Sequence, residues 1–115
     1  MHSPDHPAHA TPQLLFQPRF DGRSGALVGA KLYLARPGRP DNVVVQHAAP
    51  DDLQPLQAAC RLVSGWNATH RQRIVLTVGA RLEVLCSPAF PHTLNSVLLE
   101  SRLEPDCLAL NIITE

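Results

Sequence analysis

The apolar positions of this chain fall into groups of changing period, separated by turn-forming residues. Leu14-Leu15-Phe16 and then Phe20 form an extended run, interrupted by Gln17-Pro18. After the cluster Asp21-Gly22-Arg23-Ser24-Gly25, a second apolar run extends from Ala26 to Ala35, broken only by Gly29 and Lys31. Two β-rich runs around a short Gly/Asp/Ser segment predict a hairpin. Pro18 places the first of them at a sheet edge or strand end, because its nitrogen cannot donate to a ladder. Arg36-Pro37-Gly38-Arg39-Pro40-Asp41-Asn42 reads as a loop, and Val43 to Gln46 as a short strand or packed segment.

The period then becomes helical. Ala48 to Asp52 predicts a helix start, with Asp51 or Asp52 as cap and Pro55 in the first turn. Leu53, Leu56, Cys60 and Val63 recur at helical spacing, and Gly65 is expected to end the helix near Trp66. Asn67 to Gln72 reads as a polar connection. The β-branched run from Arg73 to Val78, ending at Gly79, predicts a strand buried on both faces. Ser87-Pro88 opens a second helix with Phe90, Leu94, Val97, Leu98 and Ser101 on one stripe; Pro105 prevents its continuation, and Leu108 to Ile113 makes a last strand. Strands alternating with helices imply right-handed crossovers, so the fold class is α/β: a β-hairpin followed by α-β-α-β with a mostly parallel sheet.

Composition narrows the reading. With 115 residues, 44% hydrophobic and 17% charged, the chain is one small folded domain, 14–115, behind a tail, 1–13, that holds three Pro and three His without an apolar period. His2, His6 and His9 lack a scaffold or carboxylates beside them, so no specific metal site is expected in the tail. Ten basic and ten acidic residues give zero net charge, no signature for a nucleic-acid polymer or an anionic membrane. No apolar run reaches the ~18–20 residues that span a bilayer, and the first residues lack the order of a signal peptide, so a cytoplasmic location is the expectation. Cys60, Cys86 and Cys107 have no C-x-x-C spacing and read as reduced thiols.

Several segments, in order, resemble one family. Phe16-Gln17-Pro18, Asp21, Ser24-Gly25 and Gly29 look like the opening of the EAL family, bacterial phosphodiesterases and receptors of cyclic-di-GMP. Ala59-Cys60 to Trp66, Val75-Leu76-Thr77-Val78-Gly79, Ser87-Pro88-Ala89-Phe90, and Leu108 to Glu115 look like its later segments. The resemblance covers Leu14 to Glu115, with fewer residues between Arg36 and Ala59 than the family usually has. It implies a partial, half TIM-barrel-like EAL fold, since such barrels run to ~250 residues. The region holding the family's Asp-Asp metal pair and catalytic Lys has no counterpart here, and half a barrel exposes strand edges.

The family's chemistry uses Mg²⁺ or Mn²⁺ held by oxygen donors to generate hydroxide. The resemblance places three of those donors at Lys31, Gly79 and Asn111: a cation, a bare backbone and an amide. A cation ~4 Å from a divalent ion costs a few kcal/mol even at an effective dielectric near 20. Glu115 alone keeps a family carboxylate. The expectation is therefore no catalysis, no metal and no cofactor. Gln17, Lys31 and Arg36 remain candidates for contact with a nucleotide, although the family's phosphate-binding Arg falls at Ala35, and Arg36 one place later lies on the opposite strand face. The expected function is a catalytically inactive EAL-like regulatory protein in cyclic-di-GMP-related signalling. It would act through a protein partner or a homodimer at an open sheet edge. A non-hydrolysing cyclic-di-GMP receptor and a decayed fragment of a phosphodiesterase are the alternatives.

Overall fold

The computed structural model describes residues 13–36, 39–42, 44–45 and 53–113. The expected tail, the caps at Asp51 and Asp52, and Glu115 lie outside them. Strands β1 (Gln13–Phe20) and β2 (Leu27–Arg36) form the hairpin in antiparallel register, Gln17 opposite Lys31. Its turn is closed locally. The Asp21 carboxylate accepts from the Ser24 hydroxyl at 2.8 Å and the Ser24 amide at 3.2 Å, and the Gly25 amide donates to the Asp21 carbonyl at 2.7 Å. Gly25 sits at φ 74°, a conformation that costs a residue with a Cβ more than glycine. Pro18 lies on the edge strand, as its missing N–H requires, and the register shifts between Arg19 and Phe20.

The segment read as a loop is partly strand. β3 (Arg39–Asn42) turns back antiparallel on β2, with Tyr33 opposite Asn42 and Arg36 opposite Arg39. β4 (Val44–Val45) then pairs parallel with β5 (Val75–Arg81) at Gly79 and Ala80. Proline and glycine suggested irregular backbone there; pairing to a neighbouring strand, a nonlocal term, overrode the composition. β2 pairs parallel with β5 through Gly29 to Lys31, and β5 pairs parallel with β6 (Leu108–Ile113) along its length. On β5, the residues paired with β2 and with β4 occupy one edge in succession, and β6 takes the other. Where β2 and β5 part, β3 and β4 fill the interval.

Helix α1 (Gln54–His70) has Leu53 rather than Asp51 or Asp52 at its N-cap, carries Pro55 in its first turn as predicted, and buries Leu56, Ala59, Cys60 and Val63. It does not end at Gly65. It runs on to His70 and stops at Arg71, in the left-handed region at φ 53°. The Asn67 side chain, read as part of a polar connection, instead clamps the chain behind the helix. It accepts from the Ile74 amide at 2.9 Å and donates to the Ile74 carbonyl at 3.2 Å. This fixes where β5 begins, at Val75 rather than Arg73, and β5 passes through Gly79 to Arg81. A short helix α2 (Leu82–Leu85), not anticipated, follows directly. Helix α3 (Phe90–Ser101) appears where the stripe predicts it, though Ala89, not Ser87, is its N-cap.

Side chains alternate across the sheet. Phe16, Ala30, Leu32, Leu76, Val78 and Ala80 belong to the face covered by helices; Phe16 meets Trp66 of α1 edge-on at 5.1 Å. Full burial of each large aliphatic side chain here contributes roughly 1.5–3 kcal/mol. The architecture is thus a mixed α/β fold with a mostly parallel central sheet and helices on one face. Among the described residues no helix is long and apolar enough to cross a membrane.

Candidate functional site

The second face of the sheet carries the positions singled out from the sequence. Gln17 pairs with Lys31, Lys31 with Thr77, Thr77 with Ala109, and Gly79 with Asn111. Since paired residues share a face and every second residue returns to it, Gln17, Lys31, Tyr33, Thr77, Gly79 and Asn111 stand together. Their exposure is uneven: Gln17 and Asn111 are exposed, Lys31 and Tyr33 half-buried, and Thr77 and Gly79 buried. Arg36, at the end of β2, has the opposite parity and is not brought into this group. Glu115 lies outside the described residues.

Within the group the contacts are specific. The Tyr33 hydroxyl donates to Gln17 Oε1 at 2.9 Å, a diagonal cross-strand bond. Lys31 Nζ lies 5.5 Å from the centroid of the Tyr33 ring, within cation–π range. Leu15, Phe16, Gln17 and Tyr33 line an open depression of about 390 Å³. Thr77 is buried between Lys31 and Ala109, whereas Asn111 is exposed at the far side. The sequence reading missed Tyr33 and Thr77 as members. Both were findable by period two, one placed two residues after Lys31 and the other two before Gly79.

The charge of this face is one-sided. The strand positions sharing its parity include Arg19, Lys31 and Arg81 and, among the described residues of β1, β2, β5 and β6, no carboxylate. Arg81 pairs with Glu83 of α2 at 3.0 Å. A hard divalent cation is best held by carboxylate oxygens, and the described set offers two hydroxyls and two amides beside an ammonium group. Such a set fits an anion or a polar ring better than Mg²⁺.

A separate polar cluster sits where β5 begins. Arg73 donates to Glu104 and, at 2.5 Å, to Asp106, and Cys107 lies beside them, with ligand-type atoms of the three acceptor residues within 4.8 Å of one another. The hydrogen bond to Glu104, then the charge of Asp106, pushes the Arg73 guanidinium above its usual range. Burial pushes the Cys107 thiol up, against the opposing pull of Arg73. The guanidinium already pairs with both carboxylates, so this cluster is a clamp between the start of β5 and the turn before β6. It is solvent-exposed and adds little to stability.

No protein-family model matches the chain, and no curated protein is significantly similar to it.

Proposed function

We propose that the chain is a catalytically inactive, EAL-like regulatory protein of cyclic-di-GMP-related signalling that acts by protein contact. One observation carries the reading. The three positions that the resemblance assigns to metal donors, Lys31, Gly79 and Asn111, share one face of the sheet, and they bring a cation, no side chain and an amide. Without a carboxylate there, these positions would not hold the divalent ion that activates water for attack, and the face is left to bind rather than cleave. The test is incubation of the purified chain with cyclic-di-GMP and Mg²⁺ or Mn²⁺. No product is expected, and turnover abolished by a chelator would overturn the reading.

The grouping of Gln17, Tyr33 and Lys31 favours a second reading, a non-hydrolysing receptor. An aromatic ring stacks on a purine, an ammonium group meets phosphate, and an amide reads a base edge. Calorimetry with cyclic-di-GMP separates the two. A receptor gives metal-independent heat that Lys31→Ala weakens at least about tenfold, a loss of ~1.4 kcal/mol. A protein-contact regulator gives none.

A further inference from the structure

The two outer strands of the sheet differ in how they treat their free edges. β1 carries the devices that discourage pairing: Pro18 removes a donor, Arg19 adds a charge, and the register shifts between Arg19 and Phe20. β6 carries none of them. Leu108-Ala109-Leu110-Asn111-Ile112-Ile113 holds no proline, glycine or charge, and its register with β5 is unbroken from Leu108 to Ile113. Among the described residues β6 pairs with β5 alone, and Ile112, on the helix-covered side of the sheet by parity, is 58% exposed. An uncharged, mostly apolar edge of unbroken register with unpaired N–H and C=O groups is a template for another strand.

We propose that β6 is the edge through which a second copy of this chain binds, strand against strand in an antiparallel pair centred on Leu110. The strand is complementary to itself. A twofold axis perpendicular to the sheet keeps both sets of helices on one side and sets Leu110 opposite the partner's Leu110. It also sets Ile112 opposite the partner's Leu108, and Asn111 opposite the partner's Ala109. Apolar meets apolar on the helix side, the amide meets a small residue on the other, and no like charges oppose one another. The free edges of the two β6 strands are satisfied at once, and the two sheets become one. This gives the protein-contact reading a surface and an occupant, and it rests on that reading only for its purpose, since the edge itself is independent of any nucleotide.

Sedimentation velocity over a range of concentrations, with hydrogen exchange at the low and high ends, tests it. The wild-type chain should reach twice its 12.6 kDa mass, and the β6 amides should become protected as the dimer forms while the β1 amides do not change. Ile112→Lys places a cation beside the partner's Leu108 and should leave a monomer at every concentration, with unaltered circular dichroism. Phe20→Lys, on the exposed end of β1, should leave the dimer intact. A wild-type monomer throughout would overturn the proposal. So would β6 protection independent of concentration, which means that another part of the chain covers the edge, or a dimer that Ile112→Lys preserves. Turnover of cyclic-di-GMP, by contrast, would remove the regulatory reading and leave the dimer standing.

Discussion

Lys31 shows how one residue is held by its strand neighbours. Its ammonium group rests over Tyr33, whose hydroxyl is spent on Gln17, so the three side chains limit one another's rotamers. Tyr33→Phe keeps the ring and deletes the bond. It should lower the unfolding free energy by about 0.5–1 kcal/mol, read from the denaturant midpoint. Gly29 is under a harder constraint: a Cβ there would stand 3.1 Å from the Val75 carbonyl oxygen, at the only rungs joining β2 to β5 in the described sheet. Gly29→Ala should therefore destabilise by about 1–2 kcal/mol, and an unchanged midpoint would show that the strands separate freely. Cys60 gives a pH signature. Burial pushes its thiol from 9.0 up to about 12, opposed by a hydrogen bond from Ser101. Below pH 9 both folded and unfolded thiols are protonated; between about 9 and 12 only the unfolded one ionises, so stability falls as pH rises. Comparing urea midpoints at pH 8 and about 10.5, the wild type should lose more stability than Cys60→Ala.

At the scale of elements, helix α1 holds the largest departure from the sequence reading. Gly65 looked like a terminator because glycine is common just past a helix end, yet the helix passes it. The position is solvent-facing, and a Cβ there would meet nothing within 4 Å. Gly65→Ala should accordingly stabilise the protein by about 0.5–1 kcal/mol in thermal or denaturant unfolding, whereas a true terminator would respond with a loss. The real stop is Arg71, and the Asn67 side chain binds the Ile74 backbone behind it. That signal was not legible, because a left-handed arginine has no compositional mark and the Asn67 contact spans seven residues. Helix α3 and strand β6 were legible to the residue or nearly so, their apolar periods being long and undisturbed.

Over the whole molecule, the sequence by itself determined the order of the main elements, though not β3 or α2, and the apolar stripes that supply much of the core. Burial follows the apolar period, and period is local information: the strand β5 is buried on both faces from Leu76 to Ala80, as the run from Arg73 to Val78 predicts, and α1 buries its predicted stripe. The hairpin, too, follows from Pro18, the Asp21 turn and Gly25. What only the tertiary structure decided is who stands next to whom. Pairing of Lys31 with Thr77 and of Gly79 with Asn111 joins residues 46 and 32 positions apart, and register between distant strands is set by the combined packing of helices and sheet. The same holds for β3, which takes strand form against β2 where the composition reads as a loop, whereas β4 falls within the Val43 to Gln46 segment that the sequence offers as a short strand. A sequence specifies which faces are apolar; only the closed set of contacts specifies which face, and which edge, is left open to meet something else.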